Sequence, residues 1–415
     1  MKKKILSLLF ILSLALALSS CAILDGMIVS SGSGEENGGT TPPNSTITVN
    51  GGNTNNITIS TDNESTALAA SKALLSTVSV YCNFERVGFF NTKTVTSGGA
   101  GVIYKLDKES GDAYIITNYH VVYDAYSNTS NYISDDINVY LYGLEATKYA
   151  IPATYIGGSM SYDIAVLKVK GSQVLMESEA VAASVASSDG VSVLDTAIAI
   201  GNPELRGISA TVGHVNVESE EISLNMTVSG SSTTVTLRVM RTDAAVNSGN
   251  SGGGLFNIYG ELIGIVNAKR AVDSIDNIGY AIPSDLVRAV TDNIIAHCDG
   301  VSNENLYKAT LGISTAAFEC DVDYDTETGS LVKTDSVMVS AVSAGSAADG
   351  NLKSGDVIKS LSINGKEYKL TRYYHASEAL LDARVGDTVV ITVLRGTETL
   401  DVSFVITENM MTIQK

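Results

Sequence analysis

From Ala67 to about Ala281 the chain is written as short apolar runs separated by clusters of Gly, Asn, Asp and Ser. The clearest runs are Val78–Phe84, Ala113–Thr117, Ile137–Leu141, Ile164–Val169, Thr196–Ile200 and Leu262–Val266. Many short strands at this spacing predict an all-β barrel or sandwich. The pattern changes at Pro283-Ser284-Asp285. Val287, Val290, Thr291, Ile294 and Ile295 then recur on one face of a helix, with Ser284 as a candidate N-cap. The polar run His297–Asn305 stops that helix and reads as a hinge.

Residues 306–415 form a second, smaller unit. Thr388–Leu394 is a continuous apolar strand, and Leu400, Val402, Phe404 and Ile406 alternate with other residues as in a half-buried one. Ala376, Ala379, Leu380 and Ala383 mark a short amphipathic helix. Asn364-Gly365 is a hairpin signal, because both residues tolerate positive φ. The expectation is a β-rich module of about five strands and one or two helices.

Composition bears mainly on location. The chain of 415 residues carries a net charge of −18, so it has no basic footprint for nucleic acid. Lys2, Lys3 and Lys4 precede the uncharged apolar run Ile5–Leu18, which is too short to span a bilayer and reads as a secretory signal peptide over residues 1–20. Leu18-Ser19-Ser20-Cys21 resembles a bacterial lipobox, which implies lipid attachment at Cys21. Residues 21–66 are rich in Gly, Ser, Thr and Asn and read as a disordered tether. The domain bounds that follow are 67–297 for the first folded unit and 298–415 for hinge and second unit. Cys82, Cys298 and Cys320 remain. Cys82 shares a face with Val78, Val80 and Phe84 and is expected in the core. Cys298 and Cys320 flank the hinge, and no Cys/His spacing suggests a metal site.

The chemistry centres on Thr242–Phe256, TDAAVNSGNSGGGLF. Glycines on both sides of Ser251 allow a tight turn that brings amide N–H groups beside a reacting atom. The same stretch also fits an ordinary Gly-rich loop. A nucleophilic serine needs a base and a group to orient that base. Of His120, His214, His297 and His375, only His120 directly follows the end of an apolar strand. Asp163 opens the strand Ile164–Val169; Asp189 and Asp195 sit among polar loop residues. An Asp at a strand start is also a common turn former.

Together, Thr117-Asn118-Tyr119-His120-Val121-Val122, Tyr162-Asp163-Ile164-Ala165 and Gly249-Asn250-Ser251-Gly252-Gly253 resemble the chymotrypsin-fold serine proteases of the HtrA (Deg) family. The order His, Asp, Ser is the chymotrypsin order. Gly98-Gly99-Ala100-Gly101-Val102, Ala199-Ile200-Gly201-Asn202-Pro203 and Ile278-Gly279-Tyr280-Ala281-Ile282-Pro283 agree with it. The resemblance covers about residues 73–295. It implies a mostly β fold, a double β-barrel followed by a small α+β PDZ domain. It implies Ser251 as nucleophile, His120 as general base and Asp163 as its partner. The oxyanion donors fall in Gly249-Asn250-Ser251, and the specificity pocket is lined by Ala245, Ile278, Gly279 and Tyr280. Ala245 is not an acid, so small or medium aliphatic side chains are expected at the cleavage position rather than Lys or Arg. No cofactor or metal is required.

The second unit resembles a permuted bacterial PDZ domain. Thr310-Leu311-Gly312-Ile313 matches the loop that holds a peptide C-terminus. The acidic insertion Asp321–Thr334 departs from compact members. The family's prolines beside the nucleophile are Ser248 and Gly254 here, which predicts a looser oxyanion loop. The resulting expectation is an endopeptidase of the bacterial cell envelope, lipid-anchored on the extracytoplasmic side. It would act on misfolded or regulatory proteins, select peptide C-termini and assemble as a homotrimer. The other reading is a binding or chaperone protein on the same fold with little turnover.

Overall fold

The computed structural model describes residues 46–49, 57–60, 63–88, 91–228, 231–268, 278–297, 305–326 and 330–414. The signal peptide, Cys21 and Cys298 lie outside them. The chain divides into a unit ending at Thr61 and a larger one beginning at Asp62. The first unit holds an antiparallel pair, Thr46–Val49 with Ile57–Ser60. This pair lies in the stretch read as a tether. Its Thr, Ile and Val residues carry β propensity despite the polar surroundings.

The larger unit opens with helix α1 (Asn63–Leu74), four residues before the expected start. Six strands then close a barrel: β1 (Thr77–Val87), β2 (Thr92–Asp107), β3 (Asp112–Thr117), β4 (Asp136–Leu141), β5 (Ile151–Ser159) and β6 (Ile164–Val169). They pair in the order β1-β2-β3-β6-β5-β4. Val78, Val80, Cys82 and Phe84 are all buried in its core, as the alternation in the sequence requires. Burial holds the Cys82 thiol far above its ordinary range.

A second barrel follows: β7 (Thr196–Gly201), β8 (Ser209–Val228), β9 (Ser231–Thr242), β10 (Gly254–Phe256), β11 (Leu262–Asn267) and β12 (Gly279–Pro283). The order is β8-β9-β12-β11-β10-β7. β8 and β9 make a long hairpin whose Ile222, Leu224, Val235, Leu237 and Val239 pack with Met160. Helix α2 (Ser284–His297) buries Leu286, Val287, Val290 and Ile294. These residues join Ala69 and Ala73 of α1, Ile116 and Ile164 of the first barrel, and Ile200 and Phe256 of the second. One apolar cluster therefore cements both barrels. The Ser284 hydroxyl donates to the Ala186 carbonyl at 2.6 Å.

The C-terminal module runs β13 (Leu306–Ala309), β14 (Ile313–Asp325), β15 (Ser330–Val342), β16 (Val357–Ile363), β17 (Lys366–Tyr368), helix α3 (His375–Ala379), β18 (Thr388–Arg395), β19 (Glu398–Val405) and β20 (Met411–Gln414). Its sheet is ordered β14-β15-β16-β18-β19, with β17 on β16 and a separate pair β13-β20. The Asn364-Gly365 turn joins β16 to β17, with both residues at positive φ. The acidic insertion is the outer part of the β14–β15 hairpin, where Asp321 pairs with Thr334. Cys320 is exposed and free of a disulfide.

This module is seated on the second barrel by polar contacts. Arg238 of β9 forms two bonds to the Glu378 carboxylate of α3, at 2.6 and 2.7 Å. Asp189 lies 3.3 Å from the His375 ring, and that ring holds the Asp189 carboxyl below its usual range. Asn293 of α2 donates to the Tyr307 and Leu381 carbonyls.

Candidate active site

The end of β3 places the base. Thr117 is buried and its hydroxyl donates to the Ala100 carbonyl at 2.7 Å. The chain then turns through a single helical turn, Tyr119–Val122, which carries His120 with Val121 and Val122 buried beneath it. His120 is thus fixed by its neighbours on a short, anchored segment.

Asp163 meets it from the turn before β6. It is fully buried and adopts the left-handed conformation, φ +50°. A buried carboxylate is costly unless its oxygens are satisfied. Here Oδ2 accepts from His120 Nδ1 at 2.7 Å and from Asn267 Nδ2 at 2.8 Å. Oδ1 accepts from the His120 backbone N–H at 3.0 Å. Asn118 Nδ2 donates to the Asp163 carbonyl at 2.8 Å. With Nδ1–H committed to Asp163, the other ring nitrogen carries the lone pair and can act as a base.

Ser251 sits on the loop between β9 and β10, almost buried at 6% exposure. A Cβ on Gly252 would lie 2.3 Å from the Thr117 hydroxyl and 3.0 Å from the Asn118 amide nitrogen. The loop therefore packs directly on the segment carrying His120. Ser251 Oγ accepts from the Ala268 N–H at 3.2 Å, and among the described residues it shares no hydrogen bond with His120. Catalytic contacts commonly tighten only when substrate arrives.

The four carbonyls from Ser248 to Ser251 are each occupied. Ser248 O accepts from Glu204 N–H at 2.8 Å and Gly249 O from Asn202 N–H at 3.2 Å. Asn250 O accepts from Gly253 N–H at 3.0 Å and Ser251 O from Ala100 N–H at 2.8 Å. The peptides are trans, so each N–H points opposite the preceding carbonyl. The Gly249 and Ser251 amides are thereby turned away from those contacts. Asn250 N–H is used by the Asn247 carbonyl. Gly249, at φ +95°, cannot be replaced, since a Cβ would lie 2.1 Å from the Asn202 oxygen.

The expected specificity residues are close in the fold but differ in exposure. Gly279 is buried against Val246, Ala245 is exposed, and Tyr280 packs on the Met160–Leu224 cluster. In the C-terminal module, Thr310, Leu311, Gly312 and Ile313 line a cavity of about 340 Å³ with Ala376 of α3 and Leu380 at its C-cap. Gly312 there has φ +82°.

Known proteins resemble this chain in both of its folded domains. Residues 99–265 match a trypsin-like peptidase domain and residues 302–406 a PDZ domain. Over 314 residues the chain is 32% identical to the serine protease Do-like HtrA of Lactococcus lactis subsp. cremoris, covering 72% of this chain and 68% of that protein. The chain belongs to the HtrA family. It is 33% identical over 309 residues to the HtrA of Bacillus subtilis and spans 62% of that relative's length. Among solved structures, the HtrA-type protease AlgW with decapeptide superimposes with a TM-score of 0.53 at 26% identity, over 82% of this chain and 98% of that one.

Two groups in this HtrA site escaped the sequence reading. Asn267 ends an apolar strand and gave only the weak signal of a polar residue closing an apolar run. Ala268 contributes a backbone amide, which no residue type announces.

Proposed function

We propose that this HtrA-family chain is a serine endopeptidase in which Ser251 attacks the peptide carbonyl. His120 takes its proton and passes it to the leaving amine, while Asp163 fixes the His120 tautomer. The Gly249 and Ser251 amides stabilise the oxyanion, a contribution of about 3 kcal/mol per donor in related chemistry. The carrying observation is the buried Asp163, held by His120 and Asn267, beside a serine loop whose carbonyls from Ser248 to Ser251 are tied back. The deciding experiment is labelling with a fluorophosphonate. Labelling at Ser251 that vanishes in Ser251→Ala and His120→Ala is expected. A chain that binds unfolded protein but never labels would establish the chaperone reading instead.

The finer reading places the enzyme on the extracytoplasmic face of a bacterial envelope, anchored by a lipid on Cys21, with Thr310–Ile313 taking a peptide C-terminus. Two relatives from Escherichia coli are named periplasmic endoproteases, DegQ and DegP, which supports that side of the membrane. Incorporation of labelled palmitate that is lost in Cys21→Ala tests the anchor. Sedimentation of the purified chain tests assembly as a homotrimer.

A further inference from the structure

The carbonyls of Ser248 and Gly249 are held by one short segment, the turn Asn202–Gly207 that leaves β7. That turn is not relaxed. Glu204 and Leu205 both occupy the left-handed region, at φ +53° and +58°. Consecutive non-glycine residues there persist only where surrounding contacts over-determine them. The side chain of Asn202, fully buried, supplies one such contact by accepting from the Gly207 N–H at 2.8 Å. The other comes from the opposite barrel. Tyr81 of β1 accepts from Asn202 Nδ2 at 3.2 Å, and its hydroxyl donates to the Leu205 carbonyl at 3.3 Å. Its ring is braced edge-on by Tyr140, with centroids 5.6 Å apart.

We propose that Tyr81 is a positioning residue for the oxyanion loop. Its hydroxyl pins the 202–207 turn, the turn's amides pull back the Ser248 and Gly249 carbonyls, and the Gly249 N–H is thereby kept facing the reacting carbonyl. The inference rests on the reading of Gly249 and Ser251 as oxyanion donors. The Tyr81 hydroxyl bonds to Asn202 and Leu205 and not to Ser251. Its effect falls on the developing anion rather than on ground-state binding, because only the anion needs that amide in place.

The test is Tyr81→Phe in the full chain, which keeps the ring and removes one hydroxyl. Loss of both hydroxyl hydrogen bonds, each long at 3.2 and 3.3 Å, lowers kcat by about 3- to 10-fold. KM stays unchanged. A peptidyl boronate, which mimics the tetrahedral anion, loses affinity by a similar factor, while the cleaved product peptide binds as before. A kcat equal to wild type overturns the proposal. So does a parallel loss in kcat, KM and product-peptide affinity, which would mark Tyr81 as a structural residue only. Ser251→Ala, run alongside, separates the two failures. If wild-type turnover depends on Ser251 while Tyr81→Phe is unaltered, the tether alone is wrong. If wild-type turnover does not depend on Ser251, the oxyanion assignment falls and the tether with it.

Discussion

At the scale of single residues, the site is a problem of keeping one buried carboxylate satisfied. Asp163 has three side-chain hydrogen bonds, and two of their donors belong to His120. The third comes from Asn267, itself 2% exposed. Removing it in Asn267→Ala leaves Oδ2 with the imidazole alone, free to pivot. Hydrogen bonds to charged groups contribute about 1.5–3 kcal/mol, so kcat/KM should fall at least about 10-fold. Steady-state hydrolysis of a peptide substrate measures this. Unchanged activity would show that His120 alone orients Asp163. His120 and Asp163 were legible beforehand because each stands at the border of an apolar strand, where a side chain is both rigid and accessible. Asn267 was not, because its partner lies 104 positions away and nothing local marks the pairing.

At the scale of elements, the loop after Ser251 shows why a departure from the family pattern need not mean looseness. Gly254 replaces a proline, which on sequence grounds predicts a more flexible oxyanion loop. In the fold Gly254 begins β10 and pairs with both Ile200 and Ile265. A Cβ there would lie 2.3 Å from the Phe256 ring, so glycine and the large Phe256 fit as a pair. Gly254→Pro should therefore overpack this position and destabilise the protein by about 1–3 kcal/mol. Adding Phe256→Leu should recover part of that loss. Urea denaturation of both variants measures it, and an unchanged midpoint in Gly254→Pro would restore the flexibility argument. Of the other strands of this barrel, β7 and β11 were legible as apolar runs. The β8–β9 hairpin forms no continuous run: Ile222 and Leu224, and Val235, Leu237 and Val239, alternate with polar residues as in a half-buried strand. Its pairing became visible only with the Met160 cluster that its inner face covers.

At the scale of the whole molecule, the two domains were each legible from strand and turn patterns, whereas the contact between them was not. Arg238 and Glu378 stand 140 positions apart, and nothing local in the sequence marks the pairing. Their side chains are only 8% and 17% exposed, and Arg238 also stacks over the Tyr374 ring at 4.2 Å. Beside them Lys308 of β13 donates to Ser377 and to Tyr162, the residue preceding Asp163, so β13 and the turn that carries Asp163 share one polar seam. Breaking such a pair from one side is the costly case, because the remaining charge stays buried. Arg238→Met should cost about 3–5 kcal/mol, and Arg238→Met with Glu378→Leu should recover much of it. Equal losses in the single and double variants would show that Glu378 is already well solvated. The same seam has a pH dependence. The His375 ring, 3.3 Å from Asp189, holds that carboxyl below the ordinary aspartate value of 3.8. A depressed carboxyl favours the folded state fully above that value and loses the effect as pH falls through its folded one. The stability gap between wild type and Asp189→Asn should therefore stand in full near neutral pH and close below 3.8. Thermal melts of both proteins across that range check it: a gap that widens in acid would mean the carboxyl is raised, and the contact with His375 would not be the one that stabilises it.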